Sequence, residues 1–369
     1  MVLDSIEASV LDLPFRRSFD HAAARRSRMQ SVWVEARART GSAGCGEGCP
    51  REYVTAETVG TAQAFVAAHA REWMRTVRDL EGLAAWATLH RARIDSNPAA
   101  WAAVELALLD VFGREQGRSV ESLLGVARLS GRFHYSAVLG DAAPREFESA
   151  LARYLEAGFR GFKIKLSGER KRDLSKVRAL ATAHVAPAAV RADANNLWKD
   201  APTAIADLQA LDYPFFAVEE PLRAGDTAGM RRIATACGTR IVLDESLLRV
   251  DELNAYSADP RRWIVNIRVS KMGGLLRSLE LVRAARERGF EVIVGAHVGE
   301  SSVLTRAGLT VAQVSRDLLI GQEGAFGTHL LVRDVVERPL MFGAAGVLDA
   351  DVLGIACGPG LGLHVSSRR

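Results

Sequence analysis

Between residues 132 and 321 the chain repeats one unit, a short β-rich apolar run followed by a stretch with the 3.6-residue period of an amphipathic helix. The runs are RFHYSAVLG, GFKIKL, AAVRADANN, FFAVEEP, RIVLDES, WIVNIRVSK, FEVIVGA and DLLIG, eight in all. Helices are predicted around 145–158, 170–184 and 202–211. Strands separated by helices pair in parallel, because each crossover returns the chain to the end where the previous strand began. Eight such units in roughly 200 residues predict a closed (β/α)8 TIM-like barrel. An open doubly wound sheet is the competitor, and no G-x-G-x-x-G follows the first run to support it.

Polar residues keep phase with this repeat. Lys165, Asp193, Glu219, Asp244 and Lys271 stand at or just past the C-terminal ends of successive predicted strands, 28, 26, 25 and 27 residues apart. In a barrel those ends form one rim, where active sites are built. Surface carboxylates are common, but three on three consecutive strands, flanked by lysine on both sides, converge. Their mutual repulsion is relieved most directly by a divalent cation. All-oxygen ligands favour a hard ion, so Mg²⁺ is expected at Asp193, Glu219 and Asp244, with Mn²⁺ as a substitute.

Lys163 and Lys165 alternate with Phe162, Ile164 and Leu166, so both amines share one face of their strand. A lysine titrates near ~10.4 in water, and a neighbouring cation lowers that value. Lys165 is therefore read as a base and Lys163 as its electrostatic tuner. Lys271 arrives from the sixth strand and is expected to meet a substrate from the opposite face. Bases paired with a dication suit removal of a proton α to a carboxylate, whose enediolate the ion stabilises.

The motifs K-I-K (163–165), D-A-N (193–195), V-E-E-P (218–221), D-E-S (244–246) and K-M-G-G (271–274) resemble the muconate lactonizing enzyme subgroup of the enolase superfamily. The resemblance implies an α+β capping domain from residues 1–125, closed by a returning C-terminal segment, 331–369, over a barrel of residues 126–330. The text at Ser42–Gly48 falls where the family has a meander-strand turn. By motif, the metal ligands are Asp193, Glu219 and Asp244, the acid–base pair is Lys165 and Lys271, and Asn195 and Glu245 give support. Substrate choice would fall to two loops, roughly Phe15–Arg28 and Cys49–Thr58, with Phe19, His21, Arg25, Arg51 and Tyr53 as candidates. His297, Glu300 and Glu323 stand at the same rim as further candidates.

The chain departs from the family in places. Dipeptide epimerases of the subgroup carry Asp-x-Asp after the eighth strand to hold an ammonium group, whereas Ile320–Gly324 offers only Glu323. Mandelate racemase-like enzymes pair a seventh-strand histidine with a sixth-strand aspartate; His297 is present but the aspartate is not. The expected activity is racemisation or epimerisation of an amino-acid derivative or related α-substituted carboxylate. Muconate-type cycloisomerisation and syn β-elimination are the alternatives. A non-catalytic binding barrel would have lost a ligand or lysine, and none is lost.

Composition adds boundaries. The 369 residues are 48% hydrophobic and 25% charged, as in soluble globular proteins. A net charge of +4 with only short basic runs argues against nucleic acid as a partner. The acidic N-terminus does not resemble a signal peptide, and no run approaches a membrane span. Four cysteines in this length suit a reducing, cytoplasmic setting, with Cys45 and Cys49 packed as small apolar residues near a turn in preference to half a metal site. A small carboxylate is the expected partner, and the resemblance implies a homo-oligomer.

Overall fold

A computed structural model of the chain describes residues 1–21, 24–355 and 358–366, without the side chains of residues 17–26. The N-terminal region opens with β1 (Leu3–Leu11), the hairpin β2 (Pro14–His21) and β3 (Ala24–Arg28), then β4 (Ser31–Ala38) and β5 (Ala43–Gly48). An antiparallel sheet of order β1-β4-β5 packs on the 19-residue helix Pro98–Gln116. The stretch expected near a turn is the strand β5 itself. A Cβ at Gly44, Gly46 or Gly48 would collide with the backbone of Ala107, Ala103 or Ala99, so glycine at every second position lets helix and sheet meet backbone to backbone. Cys45 is buried within β5 and Cys49 just beyond it, beside Asp110 and Ser31 respectively.

After β6 (Arg132–His134) come the barrel strands β7 (Ala137–Leu139), β8 (Phe162–Lys165), β9 (Val190–Asp193), β10 (Ala217–Glu219), β11 (Arg240–Leu243), β12 (Trp263–Ile267), β13 (Glu291–Val294) and β14 (Leu319–Gln322). They form one eight-stranded parallel sheet in sequential order. The amide of Ser136 donates to the carbonyl of Gln322 at 2.8 Å, joining the last strand to the first. Helices cover Pro144–Glu156, Arg170–Thr182 and Ala201–Ala210, within two residues of the sequence expectation. The first run divides in two, because β6 leaves the barrel to pair antiparallel with β15 (Val347–Asp349).

Alternation inside the barrel positions the site. Ala217, Val242, Ile264 and Ile293 form a small cluster separate from the main core. Two residues further along the same strands stand Glu219, Asp244, Asn266 and Gly295, which the period of two places on the same inward face. The tail returns to the N-terminal region: the amide of Leu361 donates to Asp110 Oδ1 at 2.8 Å, and the amide of Cys45 to Asp110 Oδ2 at 3.0 Å. Glu47 reaches from β5 to the amide of Ser301 at 3.1 Å, tying the N-terminal sheet to the loop after β13. Among the described residues no helix is long and apolar enough to cross a membrane.

Candidate active site

Lys165, Asp193 and Glu219 are in register across β8, β9 and β10. Each ends its strand and is almost fully buried. Lys165 Nζ donates to Asn195 Oδ1 at 2.6 Å and to Asp193 Oδ2 at 3.1 Å. Asn195 holds this place from a left-handed backbone conformation, φ 47°, which asparagine tolerates better than most residues. Lys163 Nζ lies 3.3 Å from both Asp193 Oδ2 and Glu219 Oε2 and 2.7 Å from Glu323 Oε2.

Arg268 stands one residue past β12 and pairs with Asp244 Oδ2, while lying 3.5 Å from Glu219 Oε1. Asn266 Nδ2 donates to Glu219 Oε1 at 2.9 Å. A Cβ at Gly295 would strike Asn266, so the neighbouring strand keeps glycine where that amide turns. Glu220, the second glutamate of V-E-E-P, accepts from the amides of Asp244 and Ser246, both at 2.7 Å, and thereby shapes the end of β11.

The three carboxylates are thus joined pairwise by cations. Lys163 bridges Asp193 to Glu219, and Arg268 bridges Glu219 to Asp244. Burial tends to raise the Asp193 carboxyl, but Lys165 and Lys163 outweigh it and hold the group below its usual range. Glu219 moves the other way, to about 7, because burial and then Asp193, Glu323 and Asp244 outweigh Lys163. Lys163 is raised above an ordinary lysine despite burial, by Glu219, Glu323 and Asp193. Its charge is therefore fixed. Among the described residues no three acidic, imidazole or thiol side chains stand close enough to hold an ion as they are. In chemistry the donor set still fits a hard dication: three buried carboxylates, all oxygen, whose compensating charges are nitrogen cations on side chains long enough to move.

The cavity above these groups is lined by Lys163, Lys165, Asp193, Arg268, His297 and Glu323, and on its apolar side by Tyr53, Val138, Val298, Phe326 and Leu330. Lys271 does not line it. Its Nζ is 2.7 Å from the Asp244 carbonyl, 2.9 Å from Asp244 Oδ1 and 2.9 Å from the Asn266 carbonyl, three acceptors for three protons. The residue that sequence reasoning missed is Arg268. Stepping by two from Ile264 through Asn266 gives Arg268 and skips Lys271, which lies on the one-turn helix Val269–Met272.

Other candidates divide by position. Tyr53 and His297 line the cavity, and the His297 amide donates to Glu300 Oε1 at 2.7 Å. Glu300 sits behind His297, its carboxyl pushed up to about 8 by burial, against the pull of the His297 amide. Glu323 faces the cavity but is engaged by Lys163 and Arg191, which hold it down to about 2 against the effect of burial. Arg51 is not a cavity residue. Its guanidinium donates to the carbonyls of Gln30, Pro50 and Val298, a clamp between the N-terminal region and the barrel. Glu245 does not line the cavity either, and burial raises its carboxyl well above the usual range. The side chains of Phe19, His21 and Arg25 fall outside the described ones.

A closed parallel barrel with lysines and carboxylates buried at its mouth, under an α+β cap, defines the enolase class of acid–base enzyme. Residues 146–369 match the model described as "Enolase C-terminal domain-like", and residues 5–125 that of the "Mandelate racemase / muconate lactonizing enzyme, N-terminal domain". The chain belongs to the mandelate racemase/muconate lactonizing enzyme family of the enolase superfamily, and like its relatives it is an isomerase. It is 28% identical to the L-Lys-D/L-Arg epimerase of Methylococcus capsulatus over 98% of this chain and 99% of the relative. The structure of 2-chloromuconate cycloisomerase from Rhodococcus opacus 1CP superposes with a TM-score of 0.86 at 25% identity, covering 99% of this chain and 97% of that one. A dipeptide epimerase from Enterococcus faecalis V583, complexed with Mg and the dipeptide L-Leu-L-Tyr, shares the fold with a TM-score of 0.82 at 22% identity, covering 99% of this chain and 100% of that one.

Proposed function

We propose that the chain moves a proton at the carbon α to a carboxylate, with Lys165 as the acid–base group and Asp193, Glu219 and Asp244 as ligands of Mg²⁺. The observation that carries this is the placement of Lys165 Nζ, in the cavity wall and oriented by Asn195 and Asp193. Magnesium is supported by the hard oxygen donors and by the Mg in the Enterococcus epimerase complex. When bound, such an ion supplies fixed positive charge for oxygens that become negative as the proton leaves. Lys163, held protonated by three carboxylates, attracts the substrate carboxylate. Asn195 keeps the Lys165 amine aimed, and His297 and Tyr53 contact the rest of the substrate. In this reading residues 1–125 and 331–369 form the cap over the barrel of 126–330.

Arg268 bears on the outcome. A guanidinium stays charged far above neutral pH, so it stabilises negative charge but exchanges protons poorly. With one titratable amine at the reacting carbon, the geometry favours reactions confined to one face, cycloisomerisation or syn elimination. Racemisation is the second reading, favoured by the epimerase activity named for the Methylococcus relative. It requires Arg268 to deliver a proton that Lys271 is not placed to give.

The test is incubation with Mg²⁺ in D₂O of pooled N-acyl amino acids, dipeptides, hydroxy acids and muconates, followed by NMR. Deuterium at the α-carbon of one enantiomer only, or a lactone or eliminated product, is expected, and is lost with chelator and in Lys165→Ala. Exchange that survives Lys165→Ala would sink the assignment.

A further inference from the structure

A second space adjoins the cavity. Val138, Phe326 and Leu330 line it and also line a groove of about 720 Å³ that runs outward over the first and last units of the barrel. One wall is a continuous chain of aromatic rings. Tyr154 meets Phe159 edge to face with centroids 4.9 Å apart, Phe159 meets Phe342 at 5.4 Å, and Phe342 meets Phe326 at 5.3 Å. The chain begins on helix Pro144–Glu156, follows the rings inward, and ends on a side chain that shares the cavity wall with Lys165.

These rings are more than interior packing. Phe159 and Phe342 are buried, but Tyr154, Phe326 and Leu330 are half-buried and keep a free face along the groove. Small residues, Ala150 and Ala157 on one side and Gly343 and Ala344 on the other, leave the space open. Of the charged groups along the groove, Asp141 lies 2.8 Å from Lys176 Nζ and 3.3 Å from Arg172 Nε, while Glu146 and Arg153 stand exposed on helix Pro144–Glu156, Arg153 donating to Ser149 Oγ at 2.8 Å. Along its aromatic wall such a surface gains by covering apolar area, and the charges stand on the exposed helix away from the rings Phe159, Phe342 and Phe326.

Resting on the reading of Lys165 given above, we infer that the substrate is a carboxylate bearing an extended, uncharged apolar group, with the carboxylate among Lys163, Lys165 and Arg268 and the apolar group lying along Phe326, Phe342, Phe159 and Tyr154. The wall that groove and cavity share, Val138, Phe326 and Leu330, selects this occupant. A partner seated on the outer groove alone would not need the three shared residues, nor an aromatic wall that ends beside an amine. Glu323 agrees with it, because a carboxylate already engaged by Lys163 and Arg191 is spent as a receptor for a second, cationic end.

The test uses straight-chain carboxylates from butyrate to dodecanoate, titrated calorimetrically into the Mg²⁺-loaded full chain. Affinity is expected to rise by about fourfold per added methylene until the groove is filled. Ala150→Trp narrows the groove away from the lysines and removes the gain for long chains while leaving butyrate unchanged. Ala157→Trp, at an exposed position, repeats the test should the first variant fold poorly. Affinity flat with chain length, or a length dependence untouched by both variants, overturns the inference. So does a change of oligomeric state in both variants without loss of long-chain binding, which makes the groove a contact between copies. Length-dependent binding with no α-deuterium exchange, lactone or eliminated product from any pooled compound supports the groove and refutes the proton-transfer reading. Exchange with flat binding does the reverse.

Discussion

Lys271 Nζ lies 2.9 Å from Asp244 Oδ1 and 2.7 Å from the Asp244 carbonyl oxygen, so this ammonium holds the end of β11 from below and is not presented to the cavity. Removing it takes the donor from Asp244 Oδ1 and from two buried carbonyls, leaving Asp244 paired with Arg268, whereas removing Lys165 opens a position on the cavity wall and leaves Asp193 paired with Lys163. Lys271→Met should therefore cost about 3–5 kcal/mol of stability, the usual penalty for breaking a buried pair. Lys165→Ala removes one of two ammonium groups paired with buried Asp193, so it too should lose stability, and it should lose proton exchange altogether. Denaturant titration of both variants, alongside α-deuterium exchange, separates the two roles; a Lys271→Met protein of wild-type stability would contradict the first.

Arg268→Lys places a second exchangeable amine where the guanidinium stands. If the fixed charge of Arg268 is what confines proton transfer to one face, the variant should exchange the enantiomer that the wild type leaves untouched. An increase of at least about 100-fold in that exchange is expected from the usual contribution of a positioned acid–base group. NMR of each pure enantiomer in D₂O reads it directly. Equal exchange of both enantiomers in the wild type would show that Arg268 does not impose this limit.

The difference between Lys271 and Arg268 marks where sequence stops being sufficient. Strand order, helix positions and the row Lys165, Asp193, Glu219 were legible because period-two alternation and parallel pairing are local rules applied along one direction. Lys271 continues the spacing of the row and carries the anticipated chemistry, whereas the alternation Ile264, Asn266, Arg268 marks the inward face. Other features depend on partners remote in the chain. Gly44, Gly46 and Gly48 read as a turn until helix Pro98–Gln116 is seen lying on them. Arg51 reads as a substrate contact until its three carbonyl acceptors, one of them Val298, come into place. Nor do the aromatic rings Tyr154, Phe159, Phe326 and Phe342 form any periodic motif, since three different segments supply them.

Metal binding should stabilise the protein and depend on pH. Mg²⁺ held by Asp193, Glu219 and Asp244 would bind the folded chain alone, so at 100 times its dissociation constant it should add about 2.7 kcal/mol to unfolding. Burial, reinforced by neighbouring carboxylates, raises Glu219 to about 7. The ion binds the deprotonated form, so affinity should weaken as pH falls through 7 and binding should release protons. Calorimetry in two buffers of different ionisation enthalpy measures that release. Affinity independent of pH between 6 and 8 would remove Glu219 from the ligand set.

Glu105 gives a pH effect on stability away from the cavity. It is buried in helix Pro98–Gln116 and accepts from the amide of Leu276 at 2.9 Å, at the start of the barrel helix Leu275–Arg288. Burial pushes its carboxyl up to about 7, against the pull of the Leu276 and Leu275 amides. Because the folded value lies above that of the unfolded chain, the folded state binds the proton more tightly. The resulting stabilisation is complete below about pH 4.5 and is lost as pH rises through 7. Glu105→Gln keeps an acceptor for the amides and carries no charge, so its stability should fall less between pH 5 and pH 8 than that of the wild type, by a margin on the order of 3 kcal/mol. Glu47, also raised to about 7 by burial, contributes the same slope to both proteins and cancels in the comparison. Urea denaturation at the two pH values measures the margin, and parallel losses in the two proteins would mean that Glu105 is ionised at no net cost to the fold.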